Sequence, residues 1–136
     1  MSTGLRTTFW LHAIVAAVFG IAYLFFPSFV TDFFGFEAMD PFVMQLFGAA
    51  TLGLGFASVL AALATRLERV EIVMEMEVAY TALALIVCLY ALIFADAPAM
   101  VWLGAAIFAI FFVAFGYYYL QARSVVSPDA GRPALR

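Results

Sequence analysis

Four stretches of this chain contain no aspartate, glutamate, lysine or arginine: Thr7 to Thr31, Pro41 to Thr65, Val78 to Ala95 and Ala97 to Ala122. Crossing about 30 Å of hydrocarbon takes about 20 helical residues, and a backbone in lipid must satisfy its own hydrogen bonds. Each stretch is long enough, or nearly so, to do this as a helix. With 68% hydrophobic and 11% charged residues, the chain also lies outside the soluble range, where about half apolar and a quarter charged are usual. The pattern predicts an all-α, membrane-embedded four-helix bundle.

The spans run from Thr8 to Phe26, Pro41 to Ala64, Val70 to Phe94 and Pro98 to Gln121, forming one domain over residues 1–123. The remaining residues 124–136, with Pro128, Gly131 and Pro133, have too little apolar content to pack and are expected to form a mobile tail. The apolar run after Arg6 is longer than a signal-peptide core and ends in Tyr23, Phe25 and Phe26 without a small-residue cleavage pattern. It is read as a retained first helix.

The bases fix an orientation. Arg6, the Arg66/Arg69 pair and Arg123 fall on one side of such a bundle, and the other side carries Asp32, Glu37, Asp40 and Asp96 without a base. By the positive-inside rule both termini and the second loop face the cytoplasm, and the protein belongs in a cell inner membrane. Every base is arginine, a usage that suits a GC-rich prokaryotic genome. Local signals agree with the spans: Pro27 closes the first, Asp40-Pro41 caps the second, and Asp96 precedes Pro98 at the fourth. Between the first two spans, Phe29, Val30, Phe33 and Phe34 recur at helical spacing beside Thr31 and Asp32, which predicts a short helix lying in the outer interface.

Close packing in lipid relies on small residues. The second span has a stripe at Ala49, Gly53, Ala57 and Ala61 and a neighbouring set at Gly48, Thr51, Gly55 and Ser58, with Ala13, Ala16, Ala17 and Gly20 as matching faces on the first. The fourth span is aromatic through Phe108, Phe111, Phe112 and Phe115, a surface suited to lipid, to a partner protein or to a flat apolar cofactor.

Polar chemistry concentrates at the start of the third span in Glu68, Glu71, Glu75 and Glu77. Glu68, Glu71 and Glu75 share a face, whereas Glu77 points about 160° from Glu75. Glu75 and Glu77 lie one to two turns inside the span, where an ionised acid is expensive without a partner. His12 is the nearest partner by depth, followed by Arg6, Arg123, Tyr80 and Tyr117 to Tyr119. Three readings stand side by side. One is a structural clasp, with Arg6 or Arg123 pairing Glu71 and His12 or a tyrosine bonding Glu75. Another is a proton- or cation-binding site formed by Glu75, Glu71, Glu77 and His12. The third is a site completed by a partner subunit through Glu77. One imidazole and two carboxylates can also bind a transition metal, but carboxylates at this spacing are common by chance, so no metal site is assigned. With one histidine per chain, a bis-histidine haem needs a symmetric dimer. Cys88 stands alone in an apolar segment and permits no internal disulfide. No basic cluster suggests nucleic acid, and neither a nucleophilic triad nor a catalytic carboxylate pair is evident, since Ser28 and Ser58 have no base at a credible depth.

The Leu24-Phe-Phe-Pro-Ser-Phe stretch and Phe47-Gly-Ala-Ala-Thr-Leu-Gly-Leu-Gly, within this four-helix layout, resemble the DoxX-like group of small prokaryotic four-helix integral membrane proteins. The resemblance implies the fold and, for some members, a role as an accessory subunit of a membrane redox system; it implies no catalytic residue. The expected function is that of an inner-membrane protein without its own catalysis, an accessory or assembly subunit or a homo-oligomer. The alternative is a proton-coupled small-solute transporter or channel using an acid of the third span. No cofactor is assigned; a quinone, pigment or haem belongs, if anywhere, at a partner interface. The expected partners are the lipid bilayer and other membrane subunits or a second copy.

Overall fold

The computed structural model describes residues 1–37 and 39–126, and these fold into five α-helices. They are α1 (Thr3–Phe25), α2 (Pro27–Phe34), α3 (Pro41–Leu63), α4 (Glu71–Phe94) and α5 (Val101–Val126), with one turn of 3₁₀ helix at Leu67–Arg69. Four of the helices, all but α2, are long and apolar enough to cross a membrane. The chain is a multi-pass membrane protein whose long helices run antiparallel.

Cap chemistry sets the boundaries. Helix α1 begins earlier than Thr8 because Ser2 accepts a hydrogen bond from Leu5 N (3.3 Å), satisfying an orphan donor; Arg6 sits within the helix. It stops where Pro27 forces the preceding residue out of the α region, and Pro27 opens α2 at its first turn. Gly35 then closes α2 at φ 75°, a left-handed cap that glycine adopts without a side-chain penalty. The Asp40 carboxylate caps α3 by accepting from Phe42 N at 2.8 Å. Helix α5 starts later than Pro98, since the chain first winds through three tight bonds, Val101 N to Pro98 O, Trp102 N to Ala99 O and Leu103 N to Met100 O. It also runs on through residues 124–126, the first three of the expected tail; the rest of that tail, residues 127–136, lies outside the described residues.

Helices α1 and α3 pack along their length, and α4 and α5 form a second pair; α3 and α4 scarcely touch. The first pair closes on glycine. A Cβ on Gly48 would fall 2.7 Å from Leu24 N and 2.9 Å from Gly20 O, and one on Gly55 would fall 2.9 Å from the Ala16 Cβ. The close approach therefore follows Gly48, Gly55 and Ser58. Of the other stripe, Ala61 is buried and Ala57 is half-buried, while Ala49 and Gly53 are exposed, because a stripe four residues apart drifts off a straight interface. The pairs join at the end carrying Arg6, Arg66, Arg69 and Arg123, around Phe9, Val70, Met74 and Phe115. At the acidic end, Val30 and Phe34 of α2 pack on Met44 and Phe19, leaving Phe29 and Phe33 exposed.

This geometry separates two neighbouring glycines. Gly48→Ala meets backbone that cannot yield, and an overpacked contact typically costs about 1–3 kcal/mol; its thermal midpoint in mild detergent is expected to drop by several degrees. Gly53→Ala has nothing within 4 Å of the new methyl and should melt at or above wild type. Equal melting of the two variants would contradict the α1–α3 contact described.

Candidate functional site

Three side chains from three helices meet between the two pairs: His12 of α1, Ser58 of α3 and Glu77 of α4. Antiparallel chain direction brings them to one level. By helical rise, His12 lies about 13 Å from the start of α1, Glu77 about 9 Å from the start of α4 and Ser58 about 8 Å from the end of α3, all measured from the arginine end. Glu77 and Ser58 are wholly buried, and His12 is 6% exposed. Ser58 donates its hydroxyl to Glu77 Oε1 at 2.9 Å. With that proton committed, its oxygen accepts from His12 Nδ1–H at 2.8 Å. A second approach of His12 Nδ1 to Glu77 Oε1, at 3.3 Å, closes the triangle.

Aromatic rings and a threonine flank this triangle. Phe111 and Phe115 meet the imidazole edge-on, at centroid distances of 4.9 and 5.7 Å. One turn along α4, Thr81 bonds the Glu77 carbonyl at 2.6 Å. Glu77 Oε2 is the exception, buried without a hydrogen-bond partner among the described residues. An orphaned carboxyl oxygen in an apolar interior is costly.

The order of contacts excludes a hydrolytic triad. There the acid orients one imidazole nitrogen and the serine faces the other, whereas here serine lies between imidazole and acid on the same nitrogen. What the chain His12–Ser58–Glu77 can do is share a proton. Imidazolium with carboxylate, and imidazole with carboxylic acid, contain the same number of protons, and they interconvert by shifting two protons along the two bonds while the serine hydroxyl reverses. Among the described residues, no three His, Cys, Asp or Glu side chains are grouped to hold a metal ion.

Beside the triangle is a cavity of about 220 Å³. His12 forms its polar end, Phe19, Phe108 and Phe111 contribute aromatic walls, and Phe34 and Phe36 stand at the acidic end. All four long helices contribute to it, and it lies where the two pairs diverge.

The other expected site residues lie elsewhere. Glu75 is exposed and accepts from the Tyr119 hydroxyl at 2.9 Å, and the Arg123 guanidinium lies 5.3 Å over the Tyr119 ring. Glu71 is exposed in the first turn of α4, where the helix dipole favours an acid. Depth alone puts Glu75 and Glu77 equally near His12, and the face decides: Glu77 turns inward and Glu75 outward, as their angular separation requires. Ser58, a small packing residue with no base expected at a credible depth, in fact has the His12 imidazole 2.8 Å from its hydroxyl. Its signal is its height, since counting turns from the arginine end of all three helices places it level with His12 and Glu77.

If the triangle is one network, its parts are energetically coupled. Ser58→Ala and Glu77→Gln should each lower the thermal midpoint, and the double variant should lose less than the sum, with a coupling of about 1 kcal/mol. Glu75→Gln, changed at the surface, should melt like wild type. A strictly additive cycle would mean that the hydroxyl and the carboxyl do not interact. No protein-family model, curated protein or solved structure matches the chain.

Proposed function

We propose that this chain is a prokaryotic inner-membrane carrier of a small molecule, linked to a proton held by His12, Ser58 and Glu77. The observation that carries the reading is Glu77 Oε2, a buried carboxyl oxygen without a hydrogen-bond partner among the described residues, on an acid tied through a hydroxyl to an imidazole that lines a cavity. An ionisable group inside a membrane span is by default a functional group, because structure alone is served more cheaply by apolar packing. The sparse contact between α3 and α4 supports a carrier, since two helix pairs joined at one end can change their separation without breaking either pair.

In this reading the arginine end, with both termini, faces the cytoplasm, and α2 lies flat in the outer interface on its exposed Phe29 and Phe33. The architecture resembles that of the DoxX-like group, and the reading takes no residue role from that resemblance. A second proposal, an accessory subunit, is favoured by α4: only 11% of its apolar window is buried, against 22% to 28% in the other three spans. Its aliphatic outer face, including Leu83, Ile86 and Val87, is open to a partner.

Proteoliposomes loaded with a small-molecule extract of the producing cell and a pH-sensitive dye test the carrier. Under an imposed pH gradient, solute-dependent proton flux is expected to fall at least about tenfold in Glu77→Gln and to persist in Glu75→Gln. Flux that is the same in wild type and Glu77→Gln would end the reading. Native mass spectrometry from mild detergent decides the second proposal, which requires a stoichiometric companion; a bare chain counts against it.

A further inference from the structure

We infer that the cavity beside His12 binds an uncharged molecule of one or two fused rings, held by a single hydroxyl that donates to His12 Nε2. The inference rests on the proposed proton-linked site and names the class of molecule that site would take.

The polar end follows from hydrogen-bond direction. Once the network has released its shared proton, Glu77 is a carboxylate that takes the one proton of Ser58, so the neutral imidazole carries its own proton on Nδ1 to satisfy Ser58. The other ring nitrogen, Nε2, is then a bare lone pair. It has no hydrogen-bond partner among the described residues, and His12 lines the cavity. A lone pair selects a donor: a hydroxyl fits, whereas an ether or ester oxygen meets it as one acceptor facing another.

The remainder of the ligand is set by the walls. None of the residues lining the cavity is Asp, Glu, Lys or Arg, so a charged molecule would enter without a counter-ion. Of the other polar groups on the lining, the Thr51 hydroxyl is already engaged by the Phe47 carbonyl at 2.9 Å, and Tyr23, Tyr80 and Cys88 add two hydroxyls and a thiol but no charge. Phe19, Phe108 and Phe111 offer ring faces and edges, which favour an aromatic body over a flexible chain. Size closes the argument: a dry cavity of about 150 Å³ accepts benzene, so about 220 Å³ accommodates a ring system of roughly naphthalene size. Helices α3 and α4 scarcely touch, and a molecule entering from the lipid would pass between them.

Two probes differing only in the donor test this: 2-naphthol and 2-methoxynaphthalene, titrated by calorimetry into the full chain in mild detergent. Saturable binding of 2-naphthol at one per chain is expected, with 2-methoxynaphthalene at least about tenfold weaker, the usual effect of losing a buried hydrogen bond. Gly104 lines the cavity on α5, and its added Cβ would meet only the Cys88 Sγ, at 3.8 Å. Gly104→Leu should therefore fold, as checked by gel filtration, and bind neither probe. Because the chain has one histidine, selective ¹⁵N labelling gives a single pair of ring signals. The Nε2 signal should move with 2-naphthol and stay in place with 2-methoxynaphthalene.

Equal affinity for the two probes, an unmoved Nε2 signal, or undiminished binding by Gly104→Leu would each overturn the inference. Binding requires no transport, so the two readings fail separately. Selective 2-naphthol binding without proton flux would sink the carrier alone; Glu77-dependent flux without naphthol selectivity would sink the ligand class alone.

Discussion

In hydrocarbon an apolar side chain gains almost nothing by leaving lipid for protein, so a helix bundle there depends on close backbone approach and on hydrogen bonds that lipid cannot replace. This protein uses each device in a different place. Gly20, Gly48 and Gly55 bring α1 and α3 together, and the His12–Ser58–Glu77 triangle ties that pair to α4. Without the triangle the two pairs would share an apolar contact at the arginine end and little else, because α3 and α4 barely meet. The polar network and the cavity beside it therefore have one origin: the helices converge where they are bonded and part where they are not.

The spans could be read directly from the sequence because charge is forbidden in lipid and each break in the apolar pattern shows as an acid or an arginine. Short-range cap signals, Asp40-Pro41 and the residue before Pro27, were equally legible. The start of α1 was not, since Arg6 looks like an end when Ser2 is the actual cap. For the site, depth was legible and azimuth was not. Glu75 and Glu77 lie at nearly the same height, and only the packing of α4 on α5 decides which of them faces inward. Ser58 was hidden for a different reason. A serine among alanines and glycines has the volume of a packing residue, and its hydroxyl becomes informative only when a histidine and an acid from distant parts of the chain arrive at the same level.

Two acids two residues apart thus have opposite fates for a purely geometric reason. Glu75 reaches the surface, accepts from Tyr119 and lies near a guanidinium that rests on the same ring. Its interactions are those of a side chain at a polar boundary. Glu77 has one hydroxyl, one imidazole and an oxygen without a partner among the described residues. The first arrangement fastens α4 to α5 from outside; the second leaves bonding capacity unused within.

The compactness of the triangle has an electrical consequence. His12 Nδ1 and Glu77 Oε1 are 3.3 Å apart, so a proton passed between them crosses at most about a tenth of a hydrocarbon layer about 30 Å thick, whatever the direction of that line. A full crossing is worth about 2.3 kcal/mol per elementary charge at 100 mV, so the field does no more than about 0.25 kcal/mol of work on the internal transfer. Sharing a proton inside this network is nearly blind to voltage, and any sensitivity to membrane potential has to arise on the way in or out.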